Sequence, residues 1–310
     1  MIEAERLIKK GIITEDFLKE EVICDFLVTT ERKKLWAVLL DMLNEFISVC
    51  AKYNLKYYLI YGSLLGAVRH KGFIPWDDDV DVAMPRDDYE KFIKLGDEFK
   101  DPLFLQTPYT DRNYFYTPAR IRNSNTTAVV TMFQHAGFNQ GIWMSVFPLD
   151  RWDDNGGRER YEQIRKLVVD CSTYMRINNP NLDEKNRERV AAYHGNPMRD
   201  YEEIQRLASS CKDPNSKYLM TAVITMGRYE RKLLYAADFE TAIPMEFEGI
   251  RVMVPVGYDR YLRDGYGDYM QFPPLEKRGV WHDGTVFDAD LSYKEYLQRQ
   301  GIEAYSYSLM

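Results

Sequence analysis

The chain has 310 residues, a formal net charge of −7, 45% hydrophobic residues and 29% charged residues. These proportions are typical of a soluble globular enzyme, and the length suffices for one large domain or two modest ones. The acidic balance, with no long basic run, disfavours sequence-independent binding of nucleic acid. No apolar stretch reaches the length of a membrane span.

The first residues, Met1 to Lys10, lack the pattern of a signal peptide, so we expect a cytoplasmic protein. The cysteines show no Cys-x-x-Cys spacing and are predicted to be free thiols, and the histidines show no spacing typical of metal ligands. They are Cys24, Cys50, Cys171 and Cys211, and His70, His135, His194 and His282.

In chain order, the lead-in to Thr29 predicts one or two short helices. Thr30 to Tyr53 predicts a strong amphipathic helix, because apolar residues recur at steps of three and four. The central segment, Tyr57 to Met84, is considered below. The next predicted elements are a helix at Arg86 to Phe99, a strand at Leu103 to Thr107, a strand pair at Phe115 to Arg122 and Thr127 to Thr131, and a strand at Gly141 to Phe147.

From Asp153 to about Ala237 the pattern is helical, with Asn-Pro and Asp-Pro breaks. The predicted helices are Tyr161 to Ile177, Asn186 to His194, Tyr201 to Cys211 and Lys217 to Met226. Phe247 to Val254 returns to strand character, and Val256 to Gly265 predicts a short helix. We therefore predict an α+β protein with a mixed sheet. Its parts are N-terminal helices plus a catalytic core (1–152), a helical lobe (153–237) and a segment that returns to the core (238–310).

The central segment begins with a short strand that ends at Gly62-Ser63. Ser63 is placed to cap a helix over Leu64 to His70, and backbone N–H groups at such a helix start form an anion site. A second strand then carries Asp77, Asp78, Asp79 and Asp81. Because strand side chains alternate, Asp77, Asp79 and Asp81 are predicted to share one face, and Asp78 to point away.

Carboxylates that share a face repel each other unless a divalent cation lies between them. A solvated acidic turn is the alternative, but the apolar residues from Val80 to Met84 favour a buried strand.

A Gly-Ser turn that opens a helix, followed by carboxylates two residues apart, is a known arrangement for phosphoryl transfer. The turn holds phosphates and the carboxylates hold Mg²⁺, with Mn²⁺ as the alternative ion. The combination matches the nucleotidyltransferase-superfamily pattern.

The segment from Tyr61 to Tyr89 resembles the LicD/fukutin family of phosphotransferases almost position by position. Further blocks that resemble the family are Arg120 to Asn123 with Thr126 and Thr127, Phe147 to Asp150, Tyr261 and Leu262, and Tyr266 to Tyr269. The resemblance implies a nucleotidyltransferase-like core that transfers phosphocholine from CDP-choline to a sugar hydroxyl of a cell-surface glycan, of teichoic acid or lipopolysaccharide type. Related members transfer other alcohol phosphates, such as ribitol phosphate.

The resemblance assigns Asp79 and Asp81 as metal ligands, to which the strand alternation adds Asp77. It also assigns Gly62 and Ser63 as phosphate contacts. One position departs from the family pattern, because Ser145 stands where an aspartate is expected, and a serine at neutral pH cannot act as the base. Three interpretations stay open. Asp150 or Asp77 replaces that base, the residue was changed artificially to trap an inactive state, or activity is impaired or absent.

Other residues are predicted to bind substrate. Arg120 and Arg122 share a strand face and suit diphosphate oxygens, with surface ion pairing as an equal alternative. Arg69 and His70 end the helix after Ser63, where complementing the helix dipole is the alternative.

Choline, a quaternary ammonium, is held by aromatic faces and nearby acids. The candidates are Tyr58, Tyr61, Trp76, Trp143 and Trp281, of which Trp76 is favoured because it precedes the acids directly. His282, beside Trp281, is a further candidate contact.

The predicted partners are CDP-choline and a glycan or lipid-linked glycan. The enzyme would lack a transmembrane segment, and contact with a lipid-linked acceptor would place it peripherally at the membrane. Transfer of another alcohol phosphate or of a nucleotidyl group, and binding of a nucleotide without catalysis, are the rival functions.

Overall fold

A computed structural model describes residues 3–153, 156–221, 229, 233–279, 282 and 284–305. Over these residues the chain is a mixed α+β protein. Its helices are α1 (Glu3–Lys10), α2 (Thr30–Lys52), α3 (Tyr61–His70), α4 (Arg86–Phe92), α5 (Gly157–Tyr174), α6 (Glu184–Ala192), α7 (Pro197–Ala208), α8 (Tyr258–Tyr266) and α9 (Tyr293–Arg299). Its strands are β1 (Glu21–Ile23), β2 (Phe26–Val28), β3 (Tyr58–Leu59), β4 (Asp81–Pro85), β5 (Leu103–Gln106), β6 (Ala119–Asn123), β7 (Thr127–Val130), β8 (Ile142–Trp152), β9 (Tyr218–Thr221), β10 (Leu234–Tyr235), β11 (Ala242–Phe247), β12 (Ile250–Pro255) and β13 (Thr285–Asp288).

The long strand β8 organises a seven-stranded sheet. One edge of β8 pairs in parallel with β4, which continues antiparallel to β3. The other edge pairs antiparallel with β6 over its first half and with β9 over its last four residues. Strand β5 extends the sheet beyond β6, and β10 extends it beyond β9. The β4–β8 pair therefore lies in the middle of the sheet, where side chains are shielded on both sides.

Helix α2 covers the sheet and confirms the helix predicted at Thr30 to Tyr53. It begins at an N-cap, where the hydroxyl of Thr29 accepts a hydrogen bond from Arg32 N–H at 3.3 Å. Its apolar stripe is buried in the main core, and α2 packs against β8 and β6. Each fully buried leucine or phenylalanine there contributes about 2 kcal/mol by removal from water. Because α2 is anchored in this way, Arg32 and Trp36 near its start can position the acidic segment described below.

Helices α5 and α7 form a second apolar core together with residues from the segments that precede β8. Tyr161 and Ile164 of α5 pack with Tyr201 of α7, and the cluster includes Tyr114 and Phe133 from before β8. The three helices predicted at Tyr161 to Ile177, Asn186 to His194 and Tyr201 to Cys211 are confirmed as α5, α6 and α7 with shifted ends. The predicted boundaries near residues 152 and 237 stay a prediction.

Several predicted elements are wrong, and each error has a tertiary cause. The strands β6 and β7 do not pair with each other, because β6 inserts between β5 and β8 while β7 pairs with β13 near the C-terminus. The helix predicted at Lys217 to Met226 begins as strand β9, since edge pairing with β8 outweighs local propensity. Residues 222–228, including the rest of that prediction, lie outside the described residues. The helix predicted at Arg86 to Phe99 ends at Phe92, before a 3-10 turn at Gly96–Glu98.

The four cysteines are free thiols, as predicted; Cys50 and Cys171 are buried and the other two are half-buried. In the part of the chain that the structure describes, none of the helices combines the length and the apolar character needed to cross a membrane.

Candidate active site

The turn from β3 into α3 forms one wall of the candidate site. Helix α3 begins at Tyr61, so Ser63 lies inside its first turn and does not cap it as predicted. The Ser63 hydroxyl instead accepts a hydrogen bond from the Asp81 N–H at 2.8 Å, which ties α3 to the start of β4. A Cβ atom on Gly62 would lie 2.4 Å from Oδ2 of Asp77, so glycine allows the turn and the acidic segment to approach each other. The first N–H groups of α3 therefore lie next to the carboxylates.

The acidic segment differs from the predicted strand, since β4 begins only at Asp81 and the three preceding aspartates form an irregular approach to it. Two side chains of α2 hold this approach in place. The carbonyl oxygen of Asp77 accepts hydrogen bonds from Arg32 at 2.7 Å and from the Trp36 indole at 3.1 Å. Because the segment is not a regular strand, the predicted alternation fails for Asp78, whose carboxylate groups with that of Asp79.

Three side chains form a row across the centre of the sheet. Asp81 of β4 lies in register with Ser145 of β8, and Ser145 lies in register with Arg120 of β6. Residues opposite each other in neighbouring strands share a sheet face, and Ser145 donates a hydrogen bond to the Asp81 carboxylate. Ser145, where the resemblance led us to expect an aspartate, thus lies directly between a carboxylate and a guanidinium.

His282 joins the carboxylates from the C-terminal segment. Its Nδ1 is 2.7 Å from Oδ1 of Asp78, and its Nε2 is 3.7 Å from Oδ2 of Asp79. One ligand atom from each of these three residues fits within 4.8 Å of the others. The spacing of the histidines in the sequence gives no sign of this cluster, because His282 is 204 residues from Asp78.

Burial and mutual repulsion govern the carboxylates. Burial, followed by the neighbouring charges of Asp79 and Asp78, raises the pKa of Asp77 well above its usual range. Burial and then Asp81 do the same for Asp79. Burial raises the pKa of Asp81 to about 7, although Arg120 and the hydrogen bond from Ser145 oppose the shift. Burial lowers the pKa of His282, but the hydrogen bond to Asp78 and the charge of Asp79 outweigh it, and the net shift is upward.

This arrangement fits a divalent cation. Asp78 Oδ2 is buried and has no hydrogen-bond partner among the described residues, although a buried carboxylate oxygen normally has one. Hard cations prefer carboxylate oxygens, and a cation would offset the repulsion that raises these pKa values. The donor set available to it is Asp78, Asp79 and His282, with the predicted ligands Asp77 and Asp81 close by.

Arg120 and Arg122, predicted together, have different environments. The guanidinium of Arg120 lies 4.2 Å from the centre of the Trp143 ring and 4.7 Å from that of Tyr116, and its charge acts on Asp79 and Asp81. Its Nε is buried and has no hydrogen-bond partner in the described chain. Arg122 is 1% exposed and donates to Gln106 at 2.7 Å and to the Gly141 carbonyl at 2.6 Å. This burial contradicts the predicted contact of Arg122 with the diphosphate.

Arg69, His70 and Trp76 pack against the C-terminal segment. Arg69 donates to the carbonyls of Tyr269 and Gln271 and to His70, whose ring stacks on Phe272. The Trp76 ring is 4% exposed and has the guanidinium groups of Arg69 and Arg278 at 5.9 and 5.0 Å. An aromatic ring that is buried and already next to two guanidinium groups is poorly placed to bind a further cation, so this packing disfavours the predicted choline contact of Trp76. Arg69 and His70 are half-buried, and their contacts with substrate stay a prediction. Trp281 lies outside the described residues.

Asp150, offered as a replacement base, is also wrongly assigned. It is 1% exposed and forms a two-pronged ion pair with Arg86 at 2.5 and 2.6 Å. It follows Ser145 by five residues of β8, which places it about 16 Å along the strand. Neither its position nor its partner allows it to reach an acceptor at the carboxylates.

Three tyrosines, Tyr61, Tyr261 and Tyr266, lie near the carboxylates, and of these Tyr61 was a predicted choline contact. Tyr61 has a φ of +51°; its N–H donates a hydrogen bond to the Tyr261 hydroxyl at 3.2 Å, and its hydroxyl shares a hydrogen bond with that of Thr221 at 2.8 Å. Tyr266, at the end of α8, is 42% exposed. Partial burial and then the carboxylates Asp77 and Asp81 raise its pKa. The block at Tyr266 to Tyr269 resembled the family, but spacing alone could not place it beside residues so distant in the sequence.

Comparisons with known proteins agree with this geometry. Residues 54–153 match the family described as LicD/FKTN/FKRP, nucleotidyltransferase domain, a span that contains Gly62, Asp81, Arg120 and Ser145. The matched span is thus described as a transferase domain, and it contains the candidate site residues of β4, β6 and β8. The chain is also 25% identical over 251 residues to the lipopolysaccharide cholinephosphotransferase LicD of Haemophilus influenzae, a match that covers 79% of this chain and 93% of that protein.

Shorter similarities are confined to part of the chain. Uncharacterized proteins of Rickettsia typhi and Rickettsia prowazekii are 38% and 42% identical over 71 and 72 residues, which is 23% of this chain. These matches span 22% and 25% of the two proteins.

Replacement of Arg120 tests its place in the site. Arg120→Lys keeps the positive charge but loses the planar fork that stacks on Trp143, so we expect transfer to fall about 10- to 100-fold, with the larger loss in Arg120→Ala. Steady-state kinetics measure this effect. Arg187→Lys, on an exposed face of α6, is the matched control and should behave as the wild type. Equal rates for Arg120→Ala and the wild type would remove Arg120 from the site.

Proposed function

We propose that this chain transfers phosphocholine from CDP-choline to a sugar hydroxyl of a cell-surface glycan and releases CMP. The observation that carries the proposal is the cluster of Asp77, Asp78, Asp79 and Asp81 beside the first turn of α3. The family of the matched span and the name of the Haemophilus relative supply the reaction class. The acceptor would be of lipopolysaccharide or teichoic acid type. A cytoplasmic location, peripheral to the membrane where the acceptor is lipid-linked, stays a prediction.

In this proposal the core has a nucleotidyltransferase-like fold and the carboxylates hold Mg²⁺, or Mn²⁺ in its place. Asp79 and Asp81 are the principal ligands, with Asp77, Asp78 and His282 around them. The ion would neutralise charge on the diphosphate and align it for in-line attack. The protein would bind the remaining diphosphate oxygens through the N–H groups of Gly62 and Ser63 in the first turn of α3. The Nε of Arg120, which has no hydrogen-bond partner among the described residues, would donate a further hydrogen bond.

The acceptor hydroxyl must lose a proton during attack. Ser145 cannot accept it, because its hydroxyl already donates to Asp81 and remains protonated at neutral pH. Of the two replacements considered from the sequence, Asp77 remains, since it lies within the cluster and Asp150 does not. Asp77 is 5% exposed, and burial raises its pKa, which makes this carboxylate a stronger base than a surface aspartate.

Choline recognition calls for an aromatic face with acids nearby. Tyr266 combines both properties, because its side chain is partly exposed and the carboxylates act on its hydroxyl. We therefore assign the quaternary ammonium to Tyr266 in place of Trp76. The rival functions are transfer of another alcohol phosphate, which would need hydrogen bonds to hydroxyl groups there, and nucleotide binding without transfer, which Ser145 alone supports.

Thermal-shift measurements with Mg²⁺ and CDP-choline, CDP-ribitol, CDP-glycerol or ATP test the donor. We expect CDP-choline to raise the melting temperature most, and Tyr266→Leu to reduce that shift while it leaves a CMP shift intact. Tyr266→Phe, which keeps the aromatic face, is the matched control. A larger shift with CDP-ribitol or CDP-glycerol would replace choline as the transferred alcohol. A larger shift with ATP would favour transfer of a nucleotidyl group. Failure to form a phosphocholine-modified glycan from bacterial lipopolysaccharide or teichoic acid, despite CDP-choline binding, would favour the non-catalytic function.

A further inference from the structure

A large cavity lies at the far end of β4 and β8 from the carboxylates. It has a volume of about 1060 Å³ and is lined where β4 and β8 end, at Pro85 and Leu149 to Arg151, and by the segment from Ser209 to Lys217 that leads into β9. We call this cavity the basic groove. Its floor is formed by the ion pair between Arg86 and Asp150, and Gln205 accepts a further hydrogen bond from Arg86 at 2.8 Å. The acid in this floor is therefore neutralised.

The charge of the basic groove is opposite to that of the whole protein. Its lining includes seven lysine and arginine residues but four aspartate and glutamate residues, in a chain with a net charge of −7. Asp150 and Asp88 are each paired, with Arg86 and Lys91. The side chains of Lys56, Arg151 and Lys212 form no ion pair within the described residues, and all three are exposed. A concave surface with several unpaired cations attracts anions and raises their local concentration.

We propose that the basic groove binds an anionic, phosphate-bearing saccharide, and that this saccharide is part of the acceptor chain. A volume of this size exceeds what a single inorganic phosphate fills and suits several linked units. Tyr235 adds partly exposed aromatic surface, and Ser209 and Asn215 add polar groups of the kind that bind sugar hydroxyls. The acceptor hydroxyl would reach the carboxylates while a phosphate of the same chain pairs with Arg151 and Lys212. The proposal rests on the proposed function only for the identity of the chain as an acceptor.

Calorimetric titration with N-acetylglucosamine 6-phosphate tests the groove without CDP-choline or turnover. We expect binding that N-acetylglucosamine, the uncharged counterpart, does not show, and that weakens as salt increases. The double variant Arg151→Glu/Lys212→Glu should weaken it at least about ten-fold. Lys9→Glu, on the exposed end of α1, is the matched control and should bind as the wild type. Absence of binding to the wild type, or unchanged binding to the double variant, would overturn the proposal.

Vesicles that contain phosphatidylglycerol distinguish a lipid headgroup from a saccharide phosphate. Loss of vesicle binding in the double variant, with sugar-phosphate binding unchanged, would make the groove a membrane contact and overturn the proposal. Cys211, which lines the groove, locates the ligand without any substitution. Its alkylation, followed by mass spectrometry, should slow in the presence of the sugar phosphate, and an unchanged rate would contradict the site. The donor measurements above are independent, so failure of the groove and failure of the proposed reaction can be told apart.

Discussion

An Asp81→Asn variant is expected to lose transfer activity by a factor on the order of 10³, because it removes a charge from the cluster that would hold Mg²⁺. The same substitution should not destabilise the metal-free protein. Burial and Asp77 raise the pKa of Asp81 to about 7, so its charge opposes folding at neutral pH and asparagine removes that cost. Asparagine can still accept the hydrogen bond from Ser145. Activity assays and thermal melts in EDTA measure the two effects, which should have opposite signs.

The stabilisation that we expect Mg²⁺ to give the wild type provides a second measurement for this prediction. Asp97→Asn, in the exposed 3-10 turn after α4, changes net charge equally and should leave activity and the Mg²⁺-induced rise in melting temperature unchanged. In Asp81→Asn that rise should shrink. Turnover at the wild-type rate in Asp81→Asn would remove the metal assignment, and so would turnover that EDTA does not affect.

An Asp150→Asn variant is expected to destabilise the fold by about 3–5 kcal/mol, since it leaves the guanidinium of Arg86 buried without its charged partner. For a chain of this size, such a loss lowers the melting temperature by roughly 10 °C. Thermal melts at a fixed scan rate, compared with the wild type, provide the measurement.

The double variant Arg86→Met/Asp150→Leu shows whether the loss comes from an uncompensated charge. Both partners are then replaced by apolar side chains of similar volume, so stability should recover to within about 1–2 kcal/mol of the wild type. Equal destabilisation in the single and double variants would instead indicate that packing of the side chains, rather than their charge, stabilises the end of β8. A single variant as stable as the wild type would mean that water reaches Arg86.

Local patterns predicted the elements that are long or strongly periodic. Helix α2 followed from its apolar spacing, and the helices α5 to α7 followed from the breaks between them. The pairing of strands could not be obtained in this way. The partner of β7 is β13, more than 150 residues later, and β6 fits between two other strands. Such pairings depend on which apolar faces the whole chain can bury together.

In the candidate site, too, local features could be predicted and long-range contacts could not. The closeness of Gly62 and Asp77 and the row from Asp81 to Arg120 come from residues that the sequence singled out. What the sequence could not show is how distant parts of the chain surround these side chains. Asp150 has Arg86 as its partner, and the guanidinium of Arg278 lies 5.0 Å from the centre of the Trp76 ring. His282 was a candidate contact, but its position beside Asp78 depends on the path of the C-terminal segment. Residue type and spacing indicate what a side chain can bind, but they do not show which other side chains already contact it.

The length of β8 also fixes the distance between the carboxylates and the basic groove. Ser145 marks the reacting end and Arg151 the basic end of one continuous strand, so the two are separated by about 20 Å of rigid backbone. A chain held at both ends could be modified only at a hydroxyl that lies this far from its anchoring phosphate. Selection among the many equivalent hydroxyls of a repetitive glycan would then depend on contour length, and shortening or lengthening the acceptor by one sugar would move the modification instead of abolishing it.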